Sequence, residues 1–333
     1  MSDAGLPKFF ADLSSWYAME ALAVGHALGL RSALLQGPGT VDEIARRAEA
    51  DERVTDTWLA VMVAAGYATH ARGVFEADPD YVPFLAGSIP GVDTLALLEF
   101  VLEMSARLPE VVDALRIGNA PSSDLFGQEF GRAVARVNVP LYAEALVADW
   151  LAADAELTAA LVSGCTLVDL ACGNGSAVGV MAGAFPNSMF VGVDRDSGTL
   201  EVASRTVAGN ASFRSSFPPS YDAVTILDSF HHFSDPDAVL AEIRTGLSPE
   251  GVLVIAESSY EGDLDADSSS PFAVIGSASA LLYCDVEGRT SSGSAQISPR
   301  DGGVALRHAL ASAGFSTITS HDGAGGFRIY FAR

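Results

Sequence analysis

Two short segments near the middle of the chain combine glycines and carboxylates in a way that suits ligand binding. Residues 167–175 read Leu-Val-Asp-Leu-Ala-Cys-Gly-Asn-Gly, and a second acid, Asp194, follows 19 residues after Gly175. Glycine tolerates positive φ and lacks a Cβ, so such a turn lets the backbone approach a ligand closely. A helix that begins at Ser176 would point free N–H groups at that ligand, and an acid ending the next strand would reach ribose hydroxyls. The pattern predicts a nucleotide site.

The glycine spacing separates the nucleotide classes. A dinucleotide-binding turn requires Gly-x-Gly-x-x-Gly, whereas Val178 occupies the third glycine position here and Gly179 comes one residue late. The phrase Val-Asp-Leu-Ala-Cys-Gly-Asn-Gly resembles instead the first motif of class I S-adenosylmethionine-dependent methyltransferases. The alternative, a turn that binds nothing, would not require acids at both strand ends.

The resemblance implies roles for the residues around the turn. Asp169 would help to hold the methionine end of the cofactor, the glycine turn would pass beneath it, and Asp194 would take the ribose. Family members often place an acid after the third strand, where it accepts a hydrogen bond from the adenine amino group. Residues 213–217 of this chain contain no acid. Phe217 is a candidate to stack on adenine, and an ordinary surface loop is the alternative. The predicted cofactor-binding residues are Asp169, Gly173, Asn174, Gly175, Asp194, Arg195, Ser215, Phe217 and Asp228.

A second chemical signal is the adjacent pair His231 and His232, just past the predicted fourth strand. Ligands bind at this edge of parallel sheets, and an imidazole can accept a proton from a hydroxyl, a phenol or a ring N–H. The segment resembles the one that follows the fourth strand in winged-helix methyltransferases, where a histidine at the position of His231 acts as the base. The alternative is that one histidine caps the helix opened by Asp235 and the other packs in the core.

Aromatic residues provide further candidates for an acceptor pocket. Tyr17, on the first helix, is a third predicted catalytic residue beside His231 and His232, because its hydroxyl could share their proton; helix packing is the simpler role for Tyr17 and Trp16. Glu257 is a candidate at the sheet rim. The residues predicted to bind substrate are Trp16, Phe126, Tyr142, Phe272 and Tyr283.

Composition excludes several other classes of function. The 19 basic residues against 42 acidic residues give a net charge of −23, which disfavours nucleic acid and anionic membranes as partners. The three cysteines, an odd number, indicate a reducing compartment. No His-x-x-x-His or carboxylate cluster accompanies the histidines, so no metal site is predicted. We expect a cytoplasmic protein, since no signal or membrane-spanning pattern is visible.

The N-terminal region has the element order of a winged helix. Apolar spacing predicts helices over residues 16–35 and 54–65, Thr40 and Glu43 form a capping-box pattern, and a hairpin is expected over 67–77. The helix that would read DNA contains one acid and no base over residues 54–63, which argues against DNA binding. The order resembles the N-terminal domain of small-molecule methyltransferases, which dimerises and helps to form the acceptor pocket, so a homodimer is expected.

The remaining sequence predicts an α/β fold. A helix with apolar residues at 97, 101, 104 and 108 should end near Pro109. Strands and helices then alternate, which predicts a doubly wound, Rossmann-like seven-stranded sheet with an antiparallel C-terminal hairpin. The last two strands are expected over residues 316–319 and 327–331. The predicted domains are a winged-helix dimerisation domain over 1–90, a helical bridge over 91–150 and a cofactor-binding catalytic domain over 151–333.

These expectations converge on an S-adenosylmethionine-dependent methyltransferase that releases S-adenosylhomocysteine. We expect a small aromatic or heteroaromatic natural-product acceptor, methylated on oxygen or on an electron-rich ring carbon such as an indole position. Two alternatives remain open: a transcriptional regulator that uses the cofactor as a signal, and a relative that binds the cofactor without transferring methyl.

Overall fold

The computed structural model describes residues 5–87, 89–116, 119–121, 125–207, 209–270, 272–289 and 296–333. The chain divides into two compact units, Met1–Leu102 and Glu103–Arg333. Each unit contains its own buried apolar core. Within the described residues, no helix is both long and apolar enough to span a membrane. The three-domain division stays a prediction.

The first unit consists of helices and one hairpin, in an order compatible with the expected winged helix. The single helix predicted over 16–35 is wrong: Gly29, at φ 73°, separates two helices because it adopts a left-handed conformation that glycine tolerates. The Thr40–Glu43 capping box is confirmed. The elements are α1 (Gly5–Ala27), α2 (Leu30–Leu35), α3 (Val41–Ala48), α4 (Glu52–Ala64), β1 (Ala68–Ala71), β2 (Val74–Ala77) and α5 (Val82–Ala86).

Helices occupy the chain between this hairpin and the large sheet. The helix expected to end near Pro109 ends at Ala106, and Pro109 lies instead in the first turn of the next helix, where its missing N–H costs nothing. A nine-residue π-helix, Tyr142–Trp150, continues from the end of α8. The α-helices are α6 (Thr94–Ala106), α7 (Leu108–Ala114), α8 (Gly127–Leu141) and α9 (Ala155–Ser163).

A seven-stranded sheet forms the centre of the second unit and confirms the predicted fold class. Its strand order is β5-β4-β3-β6-β7-β9-β8, with the last two strands antiparallel. The predicted strand over 316–319 begins later and extends further, because Ile318–Gly323 pairs along the whole of Phe327–Ala332. The strands are β3 (Thr166–Leu170), β4 (Met189–Val193), β5 (Ala211–Arg214), β6 (Tyr221–Leu227), β7 (Leu247–Ser258), β8 (Ile318–Gly323) and β9 (Phe327–Ala332).

Helices cover both faces of this sheet. Successive strand residues point to opposite faces, so Leu167 packs in one apolar cluster with Trp150, and Val168 packs in the other with Phe230. The order reverses at β3 and β6, and the carboxyl ends of β3, β4, β6 and β7 therefore share the edge at which ligands bind. The remaining helices are α10 (Ser176–Ala184), α11 (Ser197–Thr206), α12 (Pro236–Gly246), α13 (Leu264–Ser268), α14 (Ala273–Ser279), α15 (Asp285–Glu287) and α16 (Val304–Ser312).

Candidate active site

The turn between β3 and α10 combines tight packing with an open backbone. A Cβ on Gly175 would lie 2.8 Å from the ring of Phe213, so packing requires glycine there. A Cβ on Gly173 would meet nothing within 4 Å, and Gly173 has φ 53°. Ala171 also has a positive φ, 58°, which is uncommon for a residue with a side chain and is found at functional sites. The backbone at Gly173 is therefore accessible to a ligand.

Asp194 connects the end of β4 to this turn. Its Oδ2 accepts a hydrogen bond of 2.9 Å from the Gly173 N–H, and its Oδ1 accepts one of 2.9 Å from the Asp196 N–H. The side chain of Asn174 is hydrogen-bonded within the turn, because its Oδ1 accepts hydrogen bonds from both the N–H and the hydroxyl of Ser176. The carboxylate of Asp194 is thus held beside the glycine whose backbone is open.

Two acids lie at the neighbouring strand ends, where Asp169 is buried and Asp228 is half-buried. Asp169, only 2% exposed, accepts a 2.6 Å hydrogen bond from Thr225, and burial raises the pKa of Asp169 to about 7. Asp228 has φ 52° and accepts from Asn138, and burial raises the pKa of Asp228 as well. Within the described residues, neither carboxylate forms an ion pair with an arginine or a lysine. The turn therefore adjoins two carboxylates whose charged forms burial disfavours, and His231 is the positive group that favours the charge of Asp228.

His231 forms a buried pair with Glu257, at the ends of the adjacent parallel strands β6 and β7. The Nδ1 of His231 lies 2.5 Å from Oε2 of Glu257, and the His231 N–H donates to Oε1 at 3.2 Å. Burial disfavours the protonated imidazole, but the charge of Glu257 and hydrogen bonds with Cys284 and Glu257 outweigh it, so the pKa of His231 is well above its ordinary value. Glu257 occupies Nδ1, and the side chain of Cys284 is a second hydrogen-bond partner of the imidazole.

His232 has the opposite electrostatic environment. Burial, followed by the charges of His231 and Arg195, lowers the pKa of His232 well below its ordinary value. Its ring centroid lies 4.2 Å from that of His231 and 4.9 Å from that of Tyr283. Its buried Nδ1 has no hydrogen-bond partner among the described residues.

An aromatic cluster adjoins the histidines. The rings of Phe126, Phe130 and Tyr283 lie 4.7 to 5.0 Å from one another, within the range for favourable aromatic pairs. Phe126 and Phe130 are buried. Of the predicted pocket residues, Tyr283 is therefore next to His232, and Phe126 packs against Tyr283.

Comparison with known proteins identifies the central part of the chain. A family model described as a methyltransferase domain matches residues 168–255. The chain contains a methyltransferase domain. This match confirms the resemblance inferred from the glycine motif, and the matched segment contains all the predicted cofactor-binding residues together with His231 and His232. Glu257, Tyr283 and Cys284 lie beyond its end.

A curated protein matches part of this chain by sequence, and solved structures match the whole chain by fold. The demethylmenaquinone methyltransferase of Thermotoga maritima is 33% identical over 97 residues, which cover 27% of this chain and 42% of that protein. A crystallised O-methyltransferase from Nostoc punctiforme has a TM-score of 0.72 and 20% identity, with 99% of each chain covered. An O-methyltransferase of neocarzinostatin biosynthesis, solved with S-adenosylmethionine and 2-hydroxy-5-methyl naphthoic acid, has a TM-score of 0.68 and 17% identity, covering 100% of this chain and 99% of its own. The solved structures show the same fold.

The other predicted cofactor residues of the methyltransferase domain lie farther along the sheet edge. Arg195 is exposed and forms a 2.6 Å ion pair with Glu287. Ser215 is exposed, and Phe217 is half-buried with its ring 5.4 Å from that of Tyr221. Phe217 therefore already has an aromatic partner, and its stacking on adenine stays a prediction.

The remaining substrate and catalytic candidates have different environments. Tyr142 is buried near Asp228 and Asp169, and burial raises the pKa of Tyr142 well above its ordinary value. Phe272 is 70% exposed. Trp16 and Tyr17 lie on α1 in the first unit, where both are exposed, and their roles stay predictions.

Three residues of the site escaped prediction or were given no partner. Glu257 was predicted at the rim without its bond to His231, and neither Asn138 beside Asp228 nor Cys284 beside His231 was predicted. Only the pairing of β6 with β7 could have indicated the partner of His231. Cys284 comes from a separate helical segment, so no spacing in the sequence reveals its position.

Proposed function

We propose that this protein transfers a methyl group from S-adenosylmethionine to a small aromatic or heteroaromatic natural-product acceptor. The observation that carries the proposal is the turn at Gly173, open on one side and tied to Asp194, inside a matched methyltransferase domain. The aligned part of the curated relative covers less than half of that protein, so its own substrate does not transfer to this chain.

The residues at the turn fit the cofactor. S-adenosylmethionine supplies a methyl group activated by a positively charged sulfonium, and it also carries an ammonium group. Asp169 and Asp228 form no ion pair with a described arginine or lysine, and because burial raises the pKa of both, a cationic ligand would favour their charged forms. Asp194 is the residue that would hold the ribose, and Gly173 leaves room for close backbone approach. Folding removes water from these carboxylates, and the positive charge of the bound cofactor would offset the free-energy cost.

His231, in its neutral form, is the proposed general base, and because its pKa is raised we expect turnover to increase with pH. A proton leaves the acceptor hydroxyl and binds Nε2 of His231, while Glu257 at Nδ1 fixes the ring orientation and stabilises the resulting imidazolium. Removing that proton makes the oxygen a better nucleophile. An electron-rich ring carbon with an adjacent N–H is the second acceptor type, and it would use the same proton transfer. Alignment of the acceptor and exclusion of water supply the rest of the catalysis.

An aromatic acceptor is favoured by the cluster beside the base. Tyr283 lies next to His232, and Phe126 and Phe130 pack against Tyr283 to extend the aromatic surroundings of the base. The naphthoic acid bound to one structural neighbour supports the same class of acceptor. Tyr142 and Phe272 remain proposed contacts of the acceptor.

We propose a homodimer in the cytoplasm. The first unit exposes large apolar side chains along α1, which are typical of a surface that is buried in an assembly. These are Leu6, Phe9, Phe10, Leu13 and Val24. The net charge of −23 disfavours nucleic acid or an anionic membrane as the partner.

One experiment separates methyl transfer from the alternatives. Purified protein is incubated with S-adenosylmethionine and a library of phenols, hydroxylated naphthoates and indoles, and S-adenosylhomocysteine is quantified. We expect release that depends on an acceptor and disappears in His231→Asn. Cofactor binding without release for any acceptor would favour the non-methylating alternative, and retention on DNA at low salt would favour the regulator.

A further inference from the structure

Three side chains that can bind a metal ion lie close together, and one of them is the proposed base, His231. One ring nitrogen from each of His231 and His232 and the Sγ of Cys284 all lie within 4.8 Å of one another. His231 and Cys284 are already hydrogen-bonded through their side chains. These residues come from the segment after β6 and from the π-helix Ala280–Cys284 after α14, so the fold, rather than the sequence spacing, brings them together.

The donor set suits a borderline-soft divalent cation. Two imidazoles and one thiolate are ligands of Zn²⁺, with bonds of about 2.0–2.1 Å to nitrogen and about 2.3 Å to sulfur. In a tetrahedral site such ligand atoms lie roughly 3.4–3.6 Å apart, so the atoms must approach one another by at most about 1.2–1.4 Å from the observed limit of 4.8 Å. Hard cations such as Mg²⁺ prefer oxygen ligands, which this group lacks.

The hydrogen bonding around these side chains supports a metal site, in addition to the proximity of the donor atoms. The Nδ1 of His232 is buried and has no hydrogen-bond partner among the described residues, which is costly unless a ligand satisfies it. Glu257 binds Nδ1 of His231, the arrangement by which a carboxylate orients a metal-binding histidine. The side-chain N–H groups of Gln296 donate to the carbonyls of His231 and Cys284 at 2.9 Å each, which links the two ligand-bearing segments.

We propose that His231, His232 and Cys284 form a Zn²⁺ site, with Glu257 as the residue that positions His231. Binding deprotonates the Cys284 thiol, and the proton is released to solvent. Three protein ligands leave the fourth position for water. Zinc at this site occupies the imidazole that the proposed function assigns to the acceptor proton, so metal binding and base catalysis exclude each other. The cation thereby inhibits methyl transfer without contacting Gly173 or Asp194.

The test is a metal titration of the purified full-length chain after treatment with a chelator. Zn²⁺ is added in competition with a chromogenic chelator, and Co²⁺ serves as a spectroscopic probe for thiolate coordination. We expect a single tight site per chain and a thiolate-to-cobalt absorption band. Cys284→Ser and His232→Asn should each weaken Zn²⁺ binding by more than about tenfold, and Glu257→Gln by about tenfold. Cys165→Ser is the matched control and should leave binding unchanged, because Cys165 interacts with Ser188 away from the cluster.

The outcomes separate this site from the proposed function. Circular dichroism and S-adenosylhomocysteine affinity establish that each variant is folded. Equal Zn²⁺ affinity in the wild-type chain, Cys284→Ser and His232→Asn would overturn the site, as would a cobalt complex without the thiolate band. Methyl transfer that persists in the metal-free wild-type chain with no detectable Zn²⁺ binding would refute the metal site alone. Failure to bind S-adenosylhomocysteine, with zinc still bound, would refute the proposed function alone.

Discussion

His231 and Glu257 are 26 residues apart in the sequence, yet Nδ1 of the imidazole lies 2.5 Å from Oε2 of the carboxylate. Parallel pairing of β6 and β7 brings both to the same edge of the sheet. The imidazole is 7% exposed and Glu257 is 4% exposed, so water does not weaken their interaction. This relationship distinguishes the two adjacent histidines, since His232 has no carboxylate partner among the described residues.

Replacing the carboxylate of this pair should slow turnover without affecting the cofactor site. Glu257→Gln keeps the size of the side chain but removes the charge that stabilises the imidazolium, so we expect kcat to fall by roughly a hundredfold. S-adenosylhomocysteine affinity should stay the same. Glu250→Gln, at an exposed position in the same strand, is the control for the loss of one acid. Equal kcat in the two variants would remove Glu257 from the mechanism.

Substitution of the histidines should identify the base. His231→Asn is expected to reduce kcat by about a hundredfold or more, because it removes the nitrogen that accepts the proton. His232→Asn should have the smaller effect, since only His231 is oriented by Glu257. Steady-state kinetics with a saturating acceptor, on metal-free protein, measures both. Full activity in His231→Asn would exclude the residue as the base.

Asp194 should contribute to cofactor affinity rather than to chemistry. Asp194→Ala removes a carboxylate held at the glycine turn, and the expected loss of binding free energy is about 1–3 kcal/mol. Asp237→Asn, an exposed acid in the first turn of α12, serves as the control. Calorimetry with S-adenosylhomocysteine measures the difference, and identical dissociation constants would place the ribose elsewhere.

Asp169 should make the affinity for S-adenosylmethionine depend on pH. The pKa of Asp169 is raised to about 7 by burial, so the residue gains its negative charge, and with it attraction for a cation, as pH rises through 7. Affinity should increase by a few-fold to about tenfold between about pH 6 and pH 8. Asp169→Asn should abolish most of this dependence. A flat affinity profile in the wild-type chain would contradict the proposed role of its charge.

The same shift affects stability with a definite sign. The folded-state pKa of about 7 lies above the ordinary value of 3.8, so the folded state retains a proton that the unfolded chain releases. The contribution of Asp169 to the free energy of unfolding is therefore present below 3.8 and lost as pH rises to about 7. Denaturant unfolding of the wild-type chain and of Asp169→Asn at several pH values measures this contribution. The same change of unfolding free energy with pH in both proteins would show that the pKa of Asp169 is not raised.

Local signals in the sequence were sufficient for the glycine turn and most elements of the sheet. Alternating apolar strands and the Gly-x-Gly turn depend on neighbouring residues, and the helix cap at Thr40 likewise depends on a residue three positions away. The break at Gly29 was missed because the apolar spacing continues across it. The left-handed backbone at Gly29 separates the two helices despite the periodic pattern.

Contacts between distant segments were beyond prediction. The partner of His231 depends on which strand lies beside β6, and Cys284 reaches the histidines through the path of a helical segment after α14. A sequence search for metal-binding spacing could not combine adjacent histidines with a cysteine about fifty residues later, because no fixed-spacing motif describes them. The chemistry of the residues was visible, and their proximity required the fold.

The most direct measurement is a calorimetric titration of the wild-type chain with S-adenosylhomocysteine. We expect saturable binding to a single site per chain, weakened in Asp194→Ala and unaffected in Glu250→Gln. Absence of saturable binding in folded wild-type protein would contradict the assignment of the turn at Gly173 as the cofactor site.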